Sequence, residues 1–319
     1  MDALVDTFTD TFYALVKQIP EGKVSTYGAL ARALGDVRAS RAVGRMLNMN
    51  PRPVIVPCHR VVMSDGAIGG FGLGVEKKIS FLEEEGVFVE GDKVVDFEEK
   101  YFDDFTSDLP LNSLREEQDR LVAQVLIEDK HDDLETIMGV DVSYGDELAY
   151  GAFTLWQDNE KIDEKTISYK VSFPYIPTYL AYRELPPLLK LIKQIERPDV
   201  IMVDGNGYLH PRHLGIASHL GAVTDIPTLG VAKSLLLGEV EGTVSDSDPV
   251  SPIRYRGETV GYAFLSSSRA KNPVYVSAGH RLSHGTALKL VKRYCKYKIP
   301  EPIRHAHELA NKARKGDVS

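Results

Sequence analysis

Two groups of residues in this 319-residue chain could do chemistry. The first is the pair Cys58-His59, which follows the apolar run Val54-Ile55-Val56 and precedes a glycine-rich stretch. A cysteine is a strong nucleophile only as thiolate, and a neighbouring imidazole that takes the proton is the usual route to it. The second is a set of carboxylates. Asp141 interrupts the apolar run Gly139-Val140-Asp141-Val142, and Asp204 ends the run Val200-Ile201-Met202-Val203. A carboxylate in a core strand is costly unless it is paired or binds a cation. With Glu184 and His280 these residues suit Mg²⁺ or Mn²⁺, ions that can activate water and stabilise a leaving oxygen in phosphodiester cleavage. Each group alone has a bland alternative: a buried structural cysteine, or a satisfied or capping aspartate.

Both groups need elements to place them. Residues 25–35 read as a short helix, with Ser25 as N-cap and Gly35 as the stop. A second helix runs from about Arg38 to Asn48, with Ala42, Val43, Met46 and Leu47 on its apolar side. Residues 23–60 hold seven basic residues against the single acid Asp36. Two short helices joined at a glycine, with basic residues on the second, read as a helix-turn-helix facing DNA. Further on, Leu111 to Ile127 reads as a helix with Leu114, Leu121, Val125 and Leu126 apolar. Strand-like runs at 136–144, 150–156 and 165–173 are spaced as a meander. Tyr179 to Ile195 is helical, 198–205 is a buried strand, and strands follow at 228–231, 259–265 and 274–276. The last long helix spans Gly285 to Lys296. This order predicts an α/β domain with a mixed sheet.

Composition sets limits. Charged residues make up 26% and hydrophobic residues 43%, as in soluble globular proteins. No run reaches the length of a membrane span, and residues 1–30 lack a signal pattern. Cys58 and Cys295 make neither a disulfide framework nor a metal pattern, so a reducing, cytoplasmic and nucleoid-associated setting is expected. The net charge of −8 argues against a general DNA-coating protein. Its distribution is uneven: residues 1–82 carry 10 basic and 7 acidic residues, residues 83–110 carry 2 and 11. The acidic part predicts a solvated connector at 101–107 between a domain at 1–100 and another at 108–319.

Residues 5–90 resemble the catalytic domain of O6-alkylguanine-DNA alkyltransferases. The resemblance rests on Gly22-Lys23-Val24-Ser25-Thr26-Tyr27-Gly28, Ser40-Arg41-Ala42-Val43-Gly44, Asn50-Pro51, Val56-Pro57-Cys58-His59-Arg60-Val61-Val62, Gly66 through Gly74, and Lys78 with Glu85. It implies a small, mainly helical, winged-helix-like domain that needs no cofactor. Cys58 would accept the alkyl group, His59 would act through water as its base, and Glu85 would orient His59. Asn50 would brace the turn before the active site, Arg41 would fill the gap left by the extruded base, and Tyr27 would press on the lesion. Phe71 stands where the family often has tyrosine, and Gly72 where some members place a hydroxyl near guanine O6. Alkyltransferase-like proteins that only bind lesions replace the cysteine; this chain keeps it, which favours transfer.

Residues 108–310 resemble endonuclease V, a nuclease of the ribonuclease-H-like fold. The motifs are Gly139-Val140-Asp141-Val142-Ser143-Tyr144, Phe173-Pro174-Tyr175-Ile176-Pro177, Tyr182-Arg183-Glu184, Asp204-Gly205-Asn206-Gly207, His210-Pro211-Arg212, Leu214 through His219, Gly230-Val231-Ala232-Lys233-Ser234 and Ser277-Ala278-Gly279-His280. The resemblance implies cleavage at the second phosphodiester 3′ to deoxyinosine and other deaminated bases. Asp141, Glu184 and Asp204 would organise Mg²⁺ or Mn²⁺, with His280 beside them, Lys233 contacting phosphate or stabilising developing charge, and His210 near the scissile bond. Pro174, Tyr175, Ile176 and Pro177 would form a wedge driven into the duplex. The lesion pocket would lie around Thr178, Leu180, Gly205 and Ile216, and Thr178 replaces a glycine common in the family.

The whole chain looks like the fused alkyltransferase–endonuclease V type. The partners implied are double- and single-stranded DNA carrying O6-alkylguanine or deaminated bases, with no membrane, and a monomer is expected. The alternative is a lesion sensor that performs no transfer, joined to a nuclease that prefers inosine in RNA.

Overall fold

The computed structural model describes residues 2–131, 133–145, 148–266 and 271–316. The chain divides into two compact units: residues 1–116 with 172–179, and residues 117–171 with 180–319.

The first unit is small and mainly helical. Helix α1 (Asp2–Val16) buries Phe8, Phe12, Leu15 and Val16. Ser25 is not a helix cap. Ser25–Thr26 form a short strand, β1, parallel to β2 (Val61–Val62), and Thr26 caps helix α2 (Tyr27–Ala33). Its Oγ1 accepts the N–H of Ala29 at 3.1 Å, a contact worth about 1 kcal/mol. Gly35 ends this helix at φ +104°, as the sequence predicts. A 3₁₀ turn, Val37–Ala39, leads into α3 (Ser40–Asn48). Ala42, Val43, Met46 and Leu47 are buried there, while Arg41 and Arg45 stay exposed. Helix α4 (Val75–Glu84) and the hairpin β3 (Val89–Glu90) with β4 (Lys93–Val94) close a core of Val24, Val62, Ile68, Leu82, Val87 and Val94. Helix α5 (Phe97–Lys100) follows.

The acidic stretch is not a free connector. Val24 donates to Lys100 O at 2.9 Å and accepts from the N–H of Phe102 at 2.8 Å, so residues 100–102 run along the first unit as an extra edge. The division between units falls inside helix α6 (Pro110–Val122) instead. That helix stops five residues before Ile127: the N–H groups of Gln124 and Val125 bond back only three residues, to Leu121 O at 3.0 Å and Val122 O at 3.2 Å, and the carbonyl of Leu126 accepts from the N–H of Arg281 at 2.7 Å.

The second unit is built on one mixed sheet. Strands β5 (Thr136–Tyr144), β6 (Leu148–Gln157) and β7 (Glu160–Lys170) form the expected antiparallel meander. Helix α7 (Leu180–Ile192), β8 (Val200–Asp204), α8 (Ile216–Thr224) and β9 (Thr228–Ala232) follow. Then come β10 (Glu239–Val240), β11 (Val250–Tyr255), β12 (Glu258–Phe264), β13 (Val274–His280), α9 (His284–Tyr294) and α10 (Glu301–Lys315). The sheet order is β10-β11-β12-β13-β9-β8-β5-β6-β7, parallel only across β5-β8-β9. The runs Val200-Ile201-Met202-Val203 of β8 and Thr228-Leu229-Gly230-Val231-Ala232 of β9 are buried without alternation, as strands covered on both faces require.

Helix α10 lies outside the elements read from the sequence. It packs on β5 at Gly139, where a Cβ would stand 2.1 Å from the carbonyl carbon of Pro302. Only glycine permits that approach. Thr154 Oγ1 donates to Pro302 O at 2.8 Å and fixes the start of the helix against the sheet. Among the described residues no helix is long and apolar enough to cross a membrane.

Candidate active sites

In the first unit Cys58 opens a 3₁₀ turn, Cys58–Arg60, directly before β2. Its Sγ accepts a hydrogen bond from Asn50 Nδ2 at 3.0 Å. The same amide donates to Val56 O at 3.0 Å, and Asn50 Oδ1 accepts from the N–H of Arg52. Asn50 thus ties both arms of the turn to the sulfur. His59 Nε2 lies 2.9 Å from Glu85 Oε1, at the C-terminal end of α4. Its Nδ1 is buried with no hydrogen-bond partner among the described residues. Burial depresses the His59 pKa despite the opposing pull of Glu85, which favours the neutral ring. With Nε2 donating to Glu85, Nδ1 is the basic nitrogen.

Glu85 is also gripped by Arg60, whose Nε and Nη2 reach its two oxygens at 2.8 and 2.7 Å. Burial alone would raise the Glu85 carboxyl, but the bonds from Arg60 and His59 outweigh it and hold it below its ordinary value. Lys78 is fully buried, and its Nζ donates to Val61 O at 2.6 Å, Ile68 O at 2.5 Å and Gly70 O at 3.3 Å. It staples the strand after Cys58 to the glycine-rich loop, and burial pushes its pKa down to about 8. The sequence match included Lys78 but gave it no role. A cavity of about 150 Å³ opens over Cys58, lined by Tyr27, Gly44, Leu47, Asn48, Gly70, Phe71 and Gly72. Tyr27, Phe71 and Gly72, which the sequence reading placed at the lesion, thus share one cavity with the thiol. Arg41 is exposed in the first turn of α3.

In the second unit the sheet register brings the aspartates together. Val140 of β5 is paired in parallel with Val203 of β8, so Asp141 and Asp204, next along each strand, stand side by side. An oxygen of each and a nitrogen of His307 lie within 4.8 Å of one another. Burial, and then the nearby Asp204, push the Asp141 carboxyl up. Burial, then Asp141 and Asp204, push Glu184 in the first turns of α7 up to about 8. Lys233 offsets part of this charge, its Nζ donating to Asp204 Oδ2 at 2.6 Å. The sequence reading gave Lys233 to phosphate or to developing charge, and its Nζ lies at the carboxylates. Desolvated carboxylates that repel one another fit a hard divalent cation. Asp141, Asp204 and Glu184 could hold it.

His280 belongs elsewhere. Strand β13 is antiparallel to β9, and His280 pairs with Thr228, whereas Asp204 is level with Val231. Three residues of strand, about 10 Å, separate the two levels. His280 Nε2 instead lies 3.2 Å from Asp225, and its Nδ1 accepts from the N–H of Leu126 at 3.4 Å. The histidine at the carboxylates is His307 on α10, which the sequence reading missed. Ser143 Oγ donates to Asn311 Oδ1 at 2.8 Å, Asn311 Nδ2 lies 2.9 Å from His307 Nε2, and His307 Nδ1 lies 2.7 Å from Asp141 Oδ2. With Asn311 donating, Nδ1 carries the proton and orients the Asp141 carboxylate. The missed signals were the Pro300-Glu301-Pro302 start, the spacing of Ile303, Ala306 and Ala310, and the Gly316 stop.

His210 lies buried in the loop between β8 and α8, its Nδ1 accepting from the N–H of Arg212 at 3.3 Å. Gly205 and Ile216 meet there: a Cβ on Gly205 would stand 2.6 Å from Ile216 Cγ2. Leu180 opens α7. The segment with Pro174, Tyr175, Ile176, Pro177 and Thr178 belongs to the first compact unit. Ile176 is fully buried there and Tyr175 is 51% exposed, so of the two apolar side chains between the prolines only the tyrosine ring reaches the surface.

Known proteins match this arrangement. The endonuclease V family model matches residues 119–308, and the model for the 6-O-methylguanine DNA methyltransferase DNA binding domain matches residues 7–87. A bifunctional methyltransferase/endonuclease of Picrophilus torridus is 37% identical over 306 residues, 96% of each chain. Another, of Thermoplasma volcanium, is 36% identical over 301 residues, 93% of this chain and 87% of that one. A crystal structure of Ciona intestinalis endonuclease V, in complex with DNA containing an inosine followed by a ribo-adenosine, is 30% identical with a TM-score of 0.57. It covers 66% of this chain and 99% of its own. The chain therefore belongs to the endonuclease V family and, over its length, to the bifunctional methyltransferase/endonucleases.

Proposed function

We propose that the first unit moves an alkyl group from guanine O6 in DNA to Cys58, and that the second hydrolyses the second phosphodiester 3′ to deoxyinosine and other deaminated bases. In the first reaction the bond between the alkyl carbon and O6 breaks and a carbon–sulfur bond forms. The thiol proton goes to His59 Nδ1, through water, and the departing guanine takes a proton in return. Glu85 stabilises the imidazolium that forms, and Asn50 holds the sulfur toward the cavity. No group in the site reverses a thioether, so each molecule reacts once.

The observation that carries the second reaction is the juxtaposition of Asp141, Asp204 and His307. A bound Mg²⁺ or Mn²⁺ would supply an acidic water and a counter-charge for the leaving oxygen. The chain's own part is to hold Asp141 through His307 and to pair Asp204 with Lys233. The DNA in complex with the Ciona protein carries a ribo-adenosine after the inosine, which favours a second reading in which a ribonucleotide 3′ to the lesion is preferred.

A crossed experiment tests both halves. Asp204→Ala is expected to abolish nicking of an end-labelled deoxyinosine duplex and leave alkyl transfer intact. Cys58→Ala is expected to do the reverse. Peptide mass spectrometry should find a thioether on Cys58; its absence after incubation with O6-methylguanine DNA would reduce the first unit to a sensor. Equal strands with deoxyadenosine or ribo-adenosine after the inosine decide the nuclease preference.

A further inference from the structure

Helix α10 is laid along β5 in step with it. Pro302 meets Gly139, His307 Nδ1 lies 2.7 Å from Asp141 Oδ2, and Ser143 Oγ donates to Asn311 Oδ1 at 2.8 Å. Further on, Arg314 Nη1 donates to Tyr144 O at 3.4 Å, and a Cβ on Gly145 would stand 4.0 Å from Arg314 Cγ. The seven residues from His307 to Arg314 rise about 10 Å as helix. The three from Asp141 to Tyr144 rise about 10 Å as strand, so helix and strand stay matched.

This seam changes character along its length. At His307 and Asn311 it serves the carboxylates. Beyond them no group of that centre remains to be held, yet the seam goes on with Arg314, and Lys315 follows; both are exposed. Residues 309–315 contain Lys312, Arg314 and Lys315 and no acid. Basic residues in a last turn answer the helix dipole whichever way they point. The dipole does not explain why Arg314 is drawn against the end of β5, the strand that carries Asp141, by a neutral carbonyl. A guanidinium has five N–H donors, and Tyr144 O is the one acceptor that Arg314 meets among the described residues. Tyr144 is itself fixed, with the guanidinium carbon of Arg183 4.2 Å from its ring centroid.

We propose that Arg314, with Lys315 beside it, is a phosphate-binding site of the nuclease, which holds the backbone of the nucleic acid about 10 Å along β5 from the carboxylates. This rests on the reading of Asp141 and Asp204 as the hydrolytic centre. Phosphates of one strand recur about every 3.4 Å of axial rise, so the contact falls within a few nucleotides of the bond to be cut. The guanidinium fork suits a phosphate's paired oxygens, and its tether to Tyr144 orients it beforehand. Such a contact reads no base. It sets the register of the strand on the carboxylates, and its strength falls with salt.

Arg314→Gln in the full chain tests this, with nicking of a deoxyinosine duplex in Mg²⁺ followed across KCl concentrations. At about 50 mM KCl, kcat/KM should fall about fivefold to tenfold. The slope of log(kcat/KM) against log[KCl] should become shallower by about 0.9, which closes the gap to about twofold near 200 mM. Arg314→Lys should restore the slope. Lys312→Gln removes the same charge from the same helix end but stands about 160° around the helix from Arg314, so it should behave as wild type. Asp146 and Glu147 stand between β5 and β6 in the chain. Neutralising both, as Asp146→Asn with Glu147→Gln, should not copy Arg314→Gln; if it does, the arginine is an internal ion-pair partner and the inference falls. A loss in Arg314→Gln at unchanged salt slope would overturn it too, as would an equal effect of Lys312→Gln. A wild type that never nicks deoxyinosine would sink the proposed activity instead. Anisotropy of the labelled duplex in EDTA would then read the same slope, and an unchanged slope in Arg314→Gln would reject the phosphate site.

Discussion

Around Cys58 the charges are balanced within the protein. Glu85 lies between Arg60 and His59, and Lys78 lies among three carbonyls. Around Asp141 they are not. Three carboxylates share a desolvated corner, and Lys233 and His307 answer only part of the charge. The difference fits the chemistry proposed for each site. A single-use nucleophile must be ready before the lesion arrives, so its supports are built in. A hydrolytic centre that turns over leaves room for a cation that the fold does not itself supply.

The sharpest test of the balanced site is Lys78→Met, which keeps the volume and removes the donor to three carbonyls. A loss of about 3 kcal/mol is expected in denaturant titration, with no change in the second unit's midpoint. A loss below about 1 kcal/mol would show that the staple is ornamental. The unbalanced site is probed by a pair of histidine variants. His307→Ala is expected to lower nicking about 100-fold, whereas His280→Ala, far along the sheet, should cost stability and leave kcat within about twofold. Equal effects would erase the register argument.

Adding Mg²⁺ or Mn²⁺ at tenfold over its Kd should stabilise the second unit by about 1.4 kcal/mol and leave the first unmoved. Differential calorimetry of the wild type and of Asp204→Ala separates the two transitions. The smallest effect concerns pH. Burial would raise the Asp36 carboxyl, but the bonds from Arg38 and Tyr179 bring it down to about 2. A carboxylate depressed below its unfolded value contributes stability above that value and loses it as pH falls through the folded one. The advantage of wild type over Asp36→Asn, about 1 kcal/mol near neutrality, should therefore shrink between about pH 4 and pH 2 in thermal melts.

Contiguous chemistry was legible in the sequence. Cys58, His59 and Asn50 lie within ten residues, and the apolar runs around Asp141 and Asp204 identify buried strands directly. Register was not legible. His280 ends a strand as Asp204 does, but β13 runs opposite to β9, and that reversal carries it to the far end of the sheet. His307 was hidden for a related reason: helix α10 reaches β5 only because Gly139 lacks a side chain, a contact between residues far apart in the chain. The acidic stretch misled because its charge reads as a solvated connector, while its backbone pairs with Val24. Charge predicts exposure of side chains, and exposed side chains are compatible with a fully paired backbone.

The seat of α10 on Gly139 also makes the nuclease divisible. The helix gives His307 to a carboxylate on another element, and residues 295–300 between α9 and α10 are a short irregular connection. A protease site placed in that connection would turn α10 into a removable key. Releasing the helix would strip Asp141 of its partner and open the face of β5, and returning it as a peptide would restore both. Glycine at position 139 is then the keyhole: substitution there would lock out the helix while every carboxylate stayed in the chain.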